Sequence, residues 1–507
     1  MLRGAKKTES LSLRLDADTS ERLTRYCDML HLSKTAAVEK ALGEFLDRNV
    51  IGKAVVLGPA NPWDKPSAAS LLERSIRING GVYEKGKRPI LTKERSASMK
   101  DDANLNTLVI DSSGKEALKS FIEPNLLDMP HKTNFVIADP GGEIWKDTHE
   151  AMERAGYDVL YFNPYDMEHT VRYSPLDYCG NEQDVLELSN SIYDDVIAET
   201  LGGDTVGNEV VQTAERTLFS AIVLYIWRSM KDGKRYTLGH IRECVGDFAS
   251  GEEYGAHYEK CRELDCHPIF RRLYETVKSM SEGTIAFVTK DLSARLSVVG
   301  EDKFAELTAV DDFKLTERFE KKTIIYVGFG TVDKTYDFLS RMVLIRSIRE
   351  SYEHVMPRKA ANPDDLGYLR VVLNGFTDLG NLEEAGLYGL YSHLARHGCR
   401  ISFQMVVRSL EELKACYGEL GFDSMVSDCG FILVLGTDND PTAEYVSALS
   451  GLRTEGSGRL LKPEGVKKLP SNKAILFESD KPPLIDEKYQ MPMIPEEGSL
   501  DVGVQPS

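Results

Sequence analysis

No apolar stretch in this 507-residue sequence reaches the roughly 18 residues that a membrane-spanning helix needs. A transmembrane anchor is therefore not expected within it. Met1–Arg3 runs into charged residues instead of an apolar stretch, so no secretory leader is expected either. Excess positive charge is also missing. The net charge of −18 speaks against bulk electrostatic attachment to nucleic acid or anionic lipid. Only a local basic arm is left for such a role. The eight cysteines lack paired spacing. Cys261 and Cys266-His267 form the one cluster, and no second half-site follows at a zinc-like distance, so core or surface thiols are expected and no metal site. Thiols without a disulfide framework imply a reducing compartment, most simply the cytoplasm, with contact to the inner face of a membrane only through partners.

What is present is ordinary globular composition, 42% hydrophobic and 28% charged, in a chain long enough for two or three domains. The first 50 residues form a small unit. Ser10-Leu11-Ser12-Leu13-Arg14-Leu15 alternates strictly, so leucines line one face of a strand while Ser10, Ser12 and Arg14 line the other. Asp16 and Asp18 offer helix N-caps, and Leu23, Tyr26, Cys27 and Leu30 recur at helical spacing. Ser33 is a natural N-cap for a second helix carrying Val38, Ala41, Leu42, Phe45 and Leu46. Strand, helix and helix of this size bury little surface alone, so the unit is expected to dimerise. The pattern resembles a ribbon-helix-helix DNA-binding domain over Thr8 to Asn49. That resemblance implies a homodimer whose two-stranded ribbon presents Ser10, Ser12 and Arg14 to the major groove of duplex DNA. It also implies a phosphate contact at the N-terminus of the Ser33 helix, with Lys6 and Lys7 of the basic arm on the backbone.

Residues 51–103 read as a connector with a few short strands, among them one at Pro89-Ile90-Leu91. From Asn104 the chain alternates apolar strand-like runs with amphipathic helices. The expected strands are Thr107–Ile110, Phe135–Ala138, Val159–Phe162, Ile324–Gly328, Leu369–Leu373, Ile401–Val406, Phe431–Leu435 and Ala474–Phe477. Helices between most of them imply an α/β domain with a mainly parallel sheet covered on both faces. This sheet domain is assigned to 104–180 and 300–492, interrupted by an all-helical insertion at 181–299 and followed by a flexible tail at 493–507.

Several ordered stretches carry a second resemblance: Asn104–Ile110, Phe121–Leu126, Asp139-Pro140-Gly141-Gly142-Glu143, Asn163–Met167, Leu373–Leu382, Ser409–Lys414 and Asp438–Tyr445 before Gly451–Thr454. Together these stretches resemble the conjugative coupling proteins of type IV secretion, the TraG/TraD-like DNA-transfer ATPases, from about Ile90 to Pro492. The resemblance implies a RecA-like P-loop fold. It also sets positions at which this sequence departs from the family. Where the family has a phosphate loop of form G-x-x-x-x-G-K-[ST], this chain has Asp111-Ser112-Ser113-Gly114-Lys115-Glu116-Ala117-Leu118. Alignment on Phe121 and Pro124 puts Ala117 at the phosphate-binding lysine and Leu118 at the Mg²⁺-binding hydroxyl. Asp111 at the loop mouth is expected to repel a triphosphate, and Lys115 is expected to be a solvated loop lysine. Asn374-Gly375 replaces the Asp-Glu pair that holds Mg²⁺ and polarises water. Gly141 replaces the lysine of the family's DPKGE motif, and Arg408 stands where a glutamine belongs. Arg396 matches a basic family position. Asp139 reads as a turn former before Pro-Gly-Gly in preference to a metal ligand with Glu143, and Asp378 lies past the strand end.

These losses call ATP and Mg²⁺ binding into question, so no cofactor and no catalytic residue are assigned. The resulting expectation is a DNA-binding, non-hydrolysing adaptor linking DNA or relaxase to an active, membrane-anchored coupling ATPase. The competing readings are a DNA translocase with an unorthodox site and a DNA-binding transcriptional repressor with an inert body.

Overall fold

The computed structural model describes residues 89–97, 104–127, 133–198, 209–231, 237–250, 268–296, 298–299, 301–318, 321–352, 368–380, 382, 391, 401–452, 458–479 and 481–490. The ribbon-helix-helix expectation, Cys261, Cys266, His267 and Arg396 all fall outside the described residues.

Each of the eight strands expected between Thr107 and Phe477 is a strand: β1 Thr107–Asp111, β2 Thr133–Pro140, β3 Asp158–Phe162, β4 Thr323–Phe329, β5 Tyr368–Leu373, β6 Ile401–Val407, β7 Phe431–Gly436 and β8 Lys473–Glu478. The short strand expected at Pro89-Ile90-Leu91 is only an isolated antiparallel bridge, Ile90 to Ser96. A further strand, β9 Leu484–Glu487, was not anticipated. It is short, carries two acids and follows two prolines, so no apolar run announces it. The strands form one sheet in the order β3-β4-β2-β5-β6-β1-β7-β8-β9. Pairing is parallel from β3 through β7, and β8 and β9 close the sheet antiparallel. The central strands are buried along their length, which explains their continuous Val, Ile and Leu content.

The helices follow in chain order: α1 Glu123–Leu127, α2 Glu143–Arg154, α3 Glu182–Ile192, α4 Glu209–Lys231, α5 Ile241–Ser250, α6 Pro268–Ser279, α7 Glu282–Arg295, α8 Asp302–Leu307, α9 Leu315–Arg318, α10 Asp337–Glu350, α11 Leu410–Ser427, α12 Asp440–Leu449 and α13 Pro463–Lys467. Among the described residues between 181 and 299 every regular segment is helical. Of the described helices none is long and apolar enough to cross a membrane.

Residues 89–97 belong to the sheet domain, although they were read as connector. Leu91 and Ala97 are buried in its core. The Ile90 N–H donates to Asn125 Oδ1 at 2.9 Å, and the Asn125 amide returns a bond to Ile90 O at 2.8 Å. Thr92 Oγ1 donates to Asp486 at 2.6 Å, tying the segment to β9. A short loop tied to the sheet domain by hydrogen bonds carries no apolar periodicity, so the sequence pattern alone did not show it.

Candidate functional site

In a parallel sheet the strand C-termini line one edge, where ligands of such folds usually bind. Here that edge collects Asp139 at the end of β2, Asn374-Gly375 after β5, Arg408 after β6 and Asp111 at the end of β1, in that spatial order. The loops that carry the expected nucleotide-site positions therefore meet at one edge, although the side chains of Ala117 and Leu118 turn into the core.

The loop after β1 is closed on itself. Asp111 is 1% exposed. Its Oδ1 accepts the Ser113 N–H at 3.1 Å and the Ser113 hydroxyl at 2.7 Å, while its Oδ2 accepts the Ala117 N–H at 2.8 Å. The Gly114 N–H donates to Asp111 O at 3.2 Å, and Gly114 takes a left-handed φ of 70° that an L side chain rarely adopts. The loop's amides and the positive helix end behind them form an anion site, and the chain's own carboxylate fills it. Asp111 was expected to act as a rim charge that repels phosphate. It is instead an internal ligand, because an aspartate two residues before a serine closes an Asx turn when the strand ends beneath it.

Ala117 and Leu118 are buried in the apolar core with Phe121, Ile122 and Val109. Neither position faces the loop with a side chain that could hold phosphate or metal. The helix start is widened: Leu118–Ile122 is a π-turn in which the Glu123 N–H reaches Leu118 O. Pro124 explains it, since its ring has no donor and crowds the carbonyl four residues back. Ser112 and Ser113 lie on the turn, and Lys115 is exposed, as expected for a solvated lysine. Glu116 is held away from the site by a 2.8 Å ion pair with the buried Lys488.

The second half of the site is a charge pair. Gly375 turns at φ 62° into a 3₁₀ turn, Phe376–Leu379, that carries Asp378. Arg408, 51% exposed on its side chain, bonds Asp378 at 2.8 Å and Glu412 at 3.3 Å. Lys334 Nζ donates to Asp378 O at 3.0 Å. Asp378 thus pairs with Arg408, a contact across 30 residues that sequence reading missed.

Asp139, fully buried, does more than form a turn. Its carboxylate accepts the N–H of Ile144 at 3.0 Å and of Trp145 at 2.8 Å, capping α2 across the left-handed Gly141-Gly142 pair. Burial pushes its carboxyl up to about 7 against the opposing pull of those two amides. The Glu143 carboxylate, exposed at the start of α2, also raises it.

The comparisons agree with this architecture. The chain is 22% identical to protein VirD4 of Rhizobium radiobacter over 453 residues, covering 83% of this chain and 62% of that relative. It is 23% identical to protein VirD4 of Rhizobium rhizogenes over 454 residues, with 82% and 62% covered. It therefore spans about three-fifths of the length of the curated relatives it matches. Among solved structures, the plasmid coupling protein TrwB in complex with ADP and Mg²⁺ aligns at a TM-score of 0.54 and 13% identity, over 83% of this chain and 92% of that one. The trigonal form of TrwBdeltaN70 in complex with sulphate aligns at 0.55 and 14%, over 82% and 92%. Those likenesses establish a P-loop ATPase-type α/β fold. Residues 67–459 match the family model described as type IV secretory system conjugative DNA transfer, and the chain belongs to that family.

Proposed function

We propose that this chain is a non-hydrolysing component of conjugative DNA transfer, an adaptor with a coupling-protein body. Asp111 carries the proposal: its carboxylate occupies the amides that a triphosphate would need. The identities at the other positions point the same way. Ala117 and Leu118 offer no cation and no metal-binding hydroxyl, and Asn374-Gly375 offers no carboxylate for Mg²⁺ or for water activation. The adaptor binds duplex DNA through Ser10, Ser12, Arg14, Lys6, Lys7 and Ser33 of a ribbon-helix-helix dimer. It presents its body to relaxase or to an active coupling ATPase at the cytoplasmic face of the membrane. In this reading residues 1–50 are the DNA-binding unit, 181–299 the helical insertion and 493–507 a tail.

The test is a direct titration of the purified full chain with ATP and Mg²⁺, alongside turnover measured with and without duplex DNA. No saturable ATP binding and turnover equal to a buffer blank are expected. DNA-stimulated hydrolysis abolished by Lys115→Ala would show that the loop works as a phosphate site with Lys115 as its cation, and the proposal would fail.

A further inference from the structure

Arg370 is the third residue of β5, in the interior of the sheet, and is 2% exposed. Among the described residues its Nε and Nη2 have no hydrogen-bond partner. An unpaired guanidinium in a core costs several kcal/mol, on the order of an unpaired buried ion, so such a group is rare without a ligand. Burial pulls its pKa down to about 9, which still leaves it protonated at neutral pH.

Among the described residues its neighbours on the sheet are donors and apolar groups, and no ion pair is made to a carboxylate. In register Arg370 pairs with Phe135 of β2 and Ser402 of β6. Thr133, two residues before Phe135 and so on the same face, is fully buried, and its Oγ1 is also without a partner. The Gln404 amide donates to Ser402 Oγ at 3.0 Å, which leaves the Ser402 hydroxyl hydrogen free to donate. Phe121, Ile122 and Leu126 belong to the same core cluster as Phe135 and Val372 and cover this face with hydrocarbon. The two unpaired nitrogens, Nε and Nη2, carry the parallel N–H bonds of the guanidinium's side-on fork. That fork matches two oxygens of one carboxylate or phosphate group. The Thr133 hydroxyl supplies a further donor beside it.

We propose that Arg370 and Thr133 form a binding site for one compact oxyanion, a phosphate, a sulfate or a small carboxylate, near the N-terminal ends of β2 and β5. The site lies toward the opposite end of these strands from Asp139 and Asn374 and is independent of the expected nucleotide site. At 2% and 0% exposure Arg370 and Thr133 present no surface to a macromolecule, which favours a small ion as counter-charge.

The experiment is thermal unfolding of the full chain during titration with potassium phosphate, sulfate or acetate. Each is run against potassium chloride at matched ionic strength, with calorimetry for stoichiometry. The wild-type melting temperature should climb saturably with at least one oxyanion and fit a single site. Arg370→Met should abolish the saturable part, and Arg370→Lys should weaken it at least tenfold, because an ammonium keeps the charge but lacks the fork. Thr133→Val should weaken it severalfold. Should Arg370→Met fail to fold, the lysine and valine variants carry the same comparison. Parallel curves for wild type and the Arg370 variants, or chloride acting as well as every oxyanion, would overturn the proposal.

Discussion

Replacing Asp111 with alanine should both loosen the β1 loop and open it to external anions. The change deletes an acceptor for two backbone N–H groups and one hydroxyl, at 3.1, 2.8 and 2.7 Å. Ala117 is fully buried, so its N–H finds no water in exchange. An orphaned buried donor costs about 1–3 kcal/mol. Loss of the anion from the first turn adds about 0.3–1 kcal/mol through the helix dipole. The loop serine amide can turn to solvent and adds little. A destabilisation of about 1–4 kcal/mol follows for Asp111→Ala, read by urea unfolding, and roughly half of that for Asp111→Asn, which keeps one acceptor. The same Ala variant should recover stability as phosphate or sulfate is added, because the vacated amides then hold an external anion. Wild type should show no such response that depends on this loop. An Asp111→Ala loss below about 0.5 kcal/mol, or no added anion sensitivity over wild type, would refute the idea that this carboxylate stands in for phosphate.

Asp139 predicts a pH dependence. Its folded pKa of about 7 lies above the ordinary 3.8, so its contribution to stability is fully present below about pH 4 and is lost as pH rises toward 7. Unfolding free energies of wild type relative to Asp139→Asn should fall across that window, by at most about 4 kcal/mol, and a flat difference would contradict the assignment. Arg408→Ala should cost under about 1 kcal/mol in denaturant, since its ion pairs are half-exposed. Gly142→Ala should cost about 1–3 kcal/mol in the same assay, because Gly142 sits at φ 73° and its new Cβ would lie 2.5 Å from Tyr161 Oη. For DNA, Arg14→Ala should remove about 1–3 kcal/mol of preference for a cognate duplex in competition binding, while Lys6 and Lys7 substitutions weaken all duplexes alike. Unchanged affinity in a chain lacking residues 1–50 would end that reading.

The central strands of the sheet were legible because they are buried on both faces, so nearly their whole length had to be apolar whatever their partners were, whereas the half-exposed β9 was not. The ends of the strands were legible only by resemblance. The expectation that Ala117 and Leu118 stand in the phosphate-loop positions came from order along the chain and the resemblance. Their packing into the core follows from where β1 lies between β6 and β7. Asp111 shows the limit most clearly. Its residue type says acid, but which atoms meet that acid depends on a turn only six residues long, so a repelling rim charge and an internal cap share one sequence. The same holds for the Arg408–Asp378 pair, formed by residues on different loops. Arg370 looks like a single polar interruption in an otherwise apolar strand, Tyr368–Leu373. Sequence by itself determined that a parallel α/β body would form, because that depends on residue type and order. Only the tertiary structure decided where the remaining charges are spent, because a charge's partners are set by strand register and loop closure across the sheet.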